Sequence, residues 1–164
     1  MRLIVISDTH IPQRIKELPD ILVQEINKAD GIIHAGDFTS YRFYENLKSI
    51  SKKLYAVKGN MDDNYISTNL TDKLIIEIEG KRIGIMHGYG PPYGLEDILL
   101  KHFEKDYINI FIFGHSHKSM WLKKGEIYIL NPGTPTDYIF AKEQTYAVLS
   151  IENESIDAQI IKLN

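Results

Sequence analysis

The segment Arg2-Leu3-Ile4-Val5-Ile6-Ser7-Asp8-Thr9-His10 begins as an apolar run and breaks abruptly into polar residues. A short run of this kind, Met1 to Ser7, reads as a buried strand, with Asp8 and His10 in the loop that leaves it. Working outward, Pro19 to Lys28 has Ile21, Leu22, Glu25 and Ile26 at helical spacing, with Pro19 near the first turn and Gly31 just past the end. Ile32 to Ala35 reads as a strand, Tyr41 to Ser51 as a helix that Thr39 or Ser40 can cap, and Leu54 to Val57 as a third strand. Strand and helix therefore alternate as βαβαβ, which predicts a parallel sheet with helices packed on it.

The second half has a different pattern. Leu74 to Ile78 and Arg82 to Met86 flank Glu79-Gly80-Lys81, as in a hairpin. Met120 to Lys123 and Ile127 to Leu130, joined through Lys124-Gly125, predict a second hairpin. Tyr146 to Ile151 and Ile156 to Leu163, joined by Glu152-Asn153-Glu154, predict a third. A helix over about Gly94 to Lys105 falls between the first two. Mixed strand directions suggest two packed sheets with helices outside.

A chain of 164 residues, 43% of them hydrophobic, can bury a core without staples and suits one domain over 1–164. No apolar run approaches the roughly 18 residues of a membrane span, and Ser7 and Asp8 interrupt the N-terminal run too early for a secretory signal. A cytoplasmic protein is expected. The net charge of −3, without a basic stripe, argues against a nucleic-acid partner. With no cysteine, imidazole, carboxylate and amide oxygen are the available metal ligands.

Several such groups follow strand-like runs: Asp8-Thr9-His10, Gly36-Asp37, Gly59-Asn60, His87-Gly88 and Gly114-His115-Ser116-His117. Asp8 and His10 stand at alternate positions, so an extended backbone would point both side chains the same way. Alone, Asp8 is as well explained as a turn residue and Asp37 as a helix cap. His115 and His117 are harder to explain so, because two imidazoles in one loop cost desolvation if buried unpaired. Asn60 can coordinate through its carbonyl oxygen. His34, within a strand, and His102, on a helix, read as structural or solvated.

In order and type, these segments resemble the calcineurin-like metallophosphoesterases, whose pattern is D-x-H, GD, GN, a later HG histidine and GHxH. His34-Ala35-Gly36-Asp37 and Asn131-Pro132-Gly133-Thr134 resemble most the small single-domain branch that includes the bacterial YfcE phosphodiesterase. The resemblance implies an α/β fold, a four-layer αββα sandwich of two mixed β-sheets flanked by helices. It implies two divalent metal ions, manganese first, with nickel, iron, zinc and magnesium as alternatives. One ion would be held by Asp8, His10, Asp37 and His117, the other by Asp37, Asn60, His87 and His115, with Asp37 bridging. The implied function is a metal-dependent phosphoesterase, foremost a phosphodiesterase, using a metal-bridging hydroxide on a small phosphoester; Asp37, Asn60 and His115 are its catalytic candidates. The alternative is a non-catalytic metal-binding interaction scaffold resembling the retromer subunit of this fold. A homo-oligomer is open and no membrane partner is expected.

Two positions depart from the family pattern. Met61 stands where many members carry a histidine after GN, which removes a proton donor and favours a diester over an alkyl monoester. Tyr89 replaces a further histidine after His87-Gly88; with Tyr93 and Phe38 it could line a pocket or simply pack. Lys118 reads as solvent-facing, and Asn131-Pro132-Gly133 as a turn beneath the site with Thr134 in contact.

Overall fold

Ten strands form two five-stranded mixed sheets in the computed structural model, which describes residues 1–153 and 155–163. The first sheet joins β1 (Arg2–Ile6), β2 (Gly31–His34) and β3 (Leu54–Ala56) in parallel. β9 (Thr145–Glu152) pairs antiparallel with β1, and β10 (Ser155–Lys162) antiparallel with β9, giving the order β10-β9-β1-β2-β3. The second sheet contains β4 (Lys73–Ile78), β5 (Lys81–Met86), β6 (Ile110–Phe113), β7 (Met120–Lys124) and β8 (Ile127–Asn131) in the order β4-β5-β6-β8-β7. Within it, β5, β6 and β8 run parallel.

Period-2 alternation along the strands builds the layers. Leu3, Val5, Ile33 and Ala35 of the first sheet meet Ile83, Ile85, Ile110, Ile112 and Leu130 of the second in one buried cluster. The alternate residues Ile4, Ile6 and Ile32 face helices α1 (Asp20–Lys28) and α2 (Tyr41–Ile50), packing on Leu22, Ile26 and Leu47. On the far side, Phe111, Phe113 and Ile129 pack on Leu95, Leu99 and Phe103. The αββα layering expected from the resemblance is the observed architecture.

Several local expectations need correction. The helix expected over Gly94 to Lys105 is α4 (Leu95–Leu100), followed by a 3₁₀ turn at Lys101–Phe103, the tightening common at helix ends. Ser40 occupies the N-cap position of α2 but makes no side-chain cap bond. Instead Asp63 Oδ2 accepts from Tyr41 N at 2.6 Å. Asp63 also caps α3 (Asn64–Asn69), a six-residue helix whose Asn, Ser, Thr and Ile content concealed it. The first hairpin turns on two residues, Glu79 (φ 50°) and Gly80 (φ 72°), because Ile78 pairs directly with Lys81. Gly31 opens β2 and is not a helix cap. In the third turn Glu154 lies outside the described residues.

Six parallel strands, β1, β2 and β3 of one sheet and β5, β6 and β8 of the other, send their carboxyl ends to one edge of the sandwich. In open α/β sheets that edge is where ligands bind.

Candidate metal centre

The loops at this edge are bound to one another before any ligand is considered. Asp8 N donates to Gly36 O at 3.0 Å, His10 N to Asp37 O at 3.0 Å, and Gly114 N to His87 O at 3.0 Å. Asp62 ties two more loops together: its Oδ1 accepts from Thr39 N and its Oδ2 from Gly59 N, both at 2.7 Å. Gly59 is required there, since a Cβ would sit 2.1 Å from Asp37 Oδ1.

Asp8 and His10 do converge, but not by strand alternation. β1 ends at Ile6, and Asp8 (φ 54°) and His10 (φ 45°) are both left-handed. Asp37 (φ 60°), His115 (φ 65°) and His117 (φ 55°) share that conformation. Five non-glycine residues in a region that disfavours them store strain of roughly 1–3 kcal/mol each, a cost that concentrates at functional sites.

The side chains form a continuous group. His117 Nε2 lies 3.2 Å from Asp8 Oδ1, and the rings of His10 and His117 are 5.4 Å apart. Asp37 Oδ2 is 3.7 Å from His10 Nε2 and 3.3 Å from His87 Nε2, which also lies 3.8 Å from Asp8 Oδ1. His87 and His115 are 5.3 Å apart ring to ring, and His115 Nδ1 is 3.0 Å from Asn60 Oδ1. Asp8, His10 and His117 make one compact group with the reach to hold an ion; Asp8, Asp37 and His87 make another.

The tautomers favour a cation. Ala35 O can only accept, so its 2.7 Å bond keeps a proton on His87 Nδ1, and in the neutral ring Nε2 carries the lone pair. That Nε2 is buried without a hydrogen-bond partner, as is His10 Nε2. Gly90 O likewise accepts a hydrogen bond from His115 Nε2 at 2.8 Å, so in the neutral ring Nδ1 and Asn60 Oδ1 face each other as two lone-pair donors. A separation of 3.0 Å suits adjacent ligands on an ion with bonds of about 2.1 Å. These residues fit divalent metal ions.

Electrostatics point the same way. Burial pulls His87 down, yet the Asp8 and Asp37 carboxylates outweigh it and push the ring up to about 9. His10 is lowered by burial, which those carboxylates only partly offset. Burial raises Asp8, but His87 and His117 hold it well below the usual carboxylate range. The pocket draws positive charge, and a metal entering it must displace the proton held at His87.

Residues 1–154 match the calcineurin-like phosphoesterase superfamily domain. The chain belongs to that family. A probable metallophosphoesterase of Methanothermobacter thermautotrophicus is 34% identical over 159 residues, covering 96% of this chain and 90% of the relative. Vps29 of Chaetomium thermophilum has the same fold at TM-score 0.82, 22% identity and coverage of 99% and 97%. So does a novel archaeal phosphodiesterase, at TM-score 0.74, 22% identity and coverage of 98% and 100%. Family membership makes this a metal-binding, phosphoester-hydrolysing type of domain.

In this calcineurin-like domain the residues flanking the proposed ligands sort clearly. Phe38 lines no open pocket, because it is buried and stacks 3.5 Å from the His34 ring. His34 is itself buried and structural, accepting from Gly36 N through Nδ1 and contacting Thr9 Oγ1 at 3.0 Å. His102 is exposed, as are Lys118 and Tyr93, which stack on each other at 4.9 Å. Thr134 does sit beneath the site, donating to Asp8 O at 2.7 Å.

Sequence reading missed Asp137. Its Oδ2 lies 2.7 Å from His117 Nδ1 and its Oδ1 3.6 Å from Arg14 Nε, and the residue is fully buried. It stands directly behind the imidazole, where a carboxylate orients a histidine that ligates a metal. The Thr-Pro-Thr-Asp run after Asn131-Pro132-Gly133 gave no signal, because a polar run following a strand reads as an ordinary solvent-facing loop. Ser7 was missed as well; its hydroxyl donates to Asp8 Oδ2 at 2.5 Å.

Proposed function

We propose that this domain is a phosphodiesterase working with two divalent metal ions, manganese first among them. The observation that carries the reading is the pair of buried, unpartnered imidazole nitrogens, His10 Nε2 and His87 Nε2, facing the same oxygen, Asp37 Oδ2. On this reading Asp8, His10, Asp37 and His117 hold one ion, Asp37, Asn60, His87 and His115 the other, and Asp37 serves both. Bound there, the ions supply Lewis acidity and lower the pKa of water for in-line attack at phosphorus.

The chain's own residues do the positioning. Asp37 is restrained by Met61 N, which donates to Oδ1 at 2.7 Å, leaving Oδ2 toward the imidazoles. His115 N donates to Asp8 Oδ2 at 2.9 Å, and the ring's Nε2 is held by Gly90 O, so Nδ1 is presented toward Asn60. Met61, half exposed at this loop, has no proton to give a leaving group. Esters with good leaving groups are therefore the favoured substrates, and the likeness in fold to an archaeal phosphodiesterase supports the diester.

Manganese-reconstituted protein is expected to hydrolyse an aryl phosphodiester, and Asp37→Ala and His115→Ala to fall to background. Absence of activity in the loaded wild type, or its survival in both variants, refutes the enzyme reading. Metal binding without turnover, together with a stable heteromeric partner, would establish the scaffold alternative.

A further inference from the structure

The proposed function accounts for Asp37 and its neighbours but not for Tyr89, where the chain departs from its family pattern. Tyr89 lines a cleft of about 450 Å³ that opens beside Asn60 and His87 and is completed by Lys58, Lys73 and His102. The volume falls within the roughly 300–1,000 Å³ of small-molecule sites. Both ammonium groups in the cleft are already engaged. Lys58 Nζ bonds Ser67 O at 3.1 Å and lies 3.6 Å from Asp72; Lys73 Nζ bonds His102 O at 2.7 Å and pairs with Asp106. Each ammonium is already paired with a carboxylate, so neither is free to take a second phosphate, and the space beside them suits a neutral group.

Tyr89 is placed to recognise such a group. The residue stays 55% exposed, while its hydroxyl meets His102 Nε2 at 3.2 Å and the two rings stand edge to face, 6.4 Å apart. The ring is thus tethered at its tip and open on its surface. The neighbouring Gly90 carbonyl holds His115 Nε2, which links the same loop to the proposed metal ligands.

The geometry points to this cleft as the subsite for one organic substituent of the ester, selecting a neutral, ring-bearing group of nucleoside size over a small alkyl group, with Tyr89 as the stacking wall. The inference rests on the phosphodiesterase reading for its ester. Base stacking on one aromatic side chain sets the expected preference at about tenfold or more.

The test keeps p-nitrophenol as leaving group and varies the other substituent, comparing thymidine 5′-p-nitrophenyl phosphate with methyl p-nitrophenyl phosphate on manganese-loaded full chain. Wild type is expected to favour the thymidine ester in kcat/KM by about tenfold, mainly through KM. Tyr89→Ala should lose this preference and Tyr89→Phe should keep it. An unchanged ratio in Tyr89→Ala overturns the subsite. Calorimetric binding of thymidine 5′-monophosphate and methyl phosphate separates this inference from the function it builds on. If neither ester turns over, the phosphodiesterase reading fails. The subsite then stands if nucleotide binding is about tenfold tighter and depends on Tyr89, and falls if the two ligands bind alike.

Discussion

Asp137 offers the sharpest test of how the site is assembled, because it touches a proposed ligand and is not one. Its Oδ2 faces His117 Nδ1 at 2.7 Å, and its Oδ1 accepts from Ile139 N at 2.7 Å and Phe140 N at 3.2 Å. Asp137→Ala removes all of these contacts and leaves Arg14 Nε, buried and without a hydrogen-bond partner, lacking its nearby carboxylate. Losing the group behind a ligating histidine costs about 10–100-fold in metal affinity, or about 1.4–2.8 kcal/mol. Leaving buried donors unpaired adds about 1–3 kcal/mol to the loss of fold stability.

Asp137→Asn separates the two effects. The amide oxygen can still serve Ile139 N and Phe140 N, so the metal-free protein should unfold within about 1 kcal/mol of wild type. Its NH₂ group, however, would donate to His117 Nδ1, forcing the ring proton onto Nε2, the atom 3.2 Å from Asp8. That tautomer cannot ligate through Nε2, so manganese affinity should drop by about 100-fold, the upper end of the range. Calorimetric manganese titration and urea unfolding of the metal-free protein give the two quantities. If Asp137→Asn binds manganese like wild type, or loses less affinity than Asp137→Ala, the tautomer argument is wrong.

Two further substitutions probe the support and the chemistry. Gly114→Ala would place a Cβ 1.9 Å from Ser7 Oγ and 2.9 Å from Asp8 Oδ2, and should destabilise by about 1–3 kcal/mol or more in urea unfolding while weakening metal binding; a stable, fully metal-loaded variant would contradict the close approach. Met61→His should raise monoesterase activity by about tenfold, below the full 10²–10⁴ of a positioned acid, because both Asp62 oxygens are already bonded to backbone N–H groups. Unchanged monoester kinetics in a folded, metal-loaded variant would show that a proton donor is not what limits the reaction.

The strands were legible wherever both faces are buried, since Leu3 to Ile6 and Ile110 to Phe113 leave little choice of structure. The loops were legible in composition but not in conformation. Alternation was extended past Ile6 to Asp8 and His10, whereas both residues turn left-handed, held by hydrogen bonds to Gly36 and Asp37 that no local pattern announces. Phe38 and Tyr89 looked alike as aromatic loop residues. His34 buries the first by stacking, and nothing covers the second to the same degree. Asp137 was out of reach because it meets His117 only through the pairing of β8 with β6, which carries the Asn131 to Asp137 loop across to the Gly114 loop.

These particulars explain why the chemistry sits where it does. Five residues of the proposed ligand set hold a backbone conformation that is unfavourable for each of them alone, so the loops cannot be stable in isolation. What fixes them is mutual bonding: across the two sheets Asp8 accepts from His115 N and Thr134 reaches back to Asp8 O, and within the second sheet Gly114 O accepts from Asn131. Each sheet therefore completes the other's loops, and the proposed ion sites can exist only once the sandwich has closed. It follows that damage to the support and damage to the ligands should be separable by experiment: changes at Ser7, Gly114 and Thr134, and truncation of Asp137 to alanine, act on metal affinity and stability together, whereas exchanging a proposed ligand such as His115 acts on chemistry with the backbone scaffold left in place.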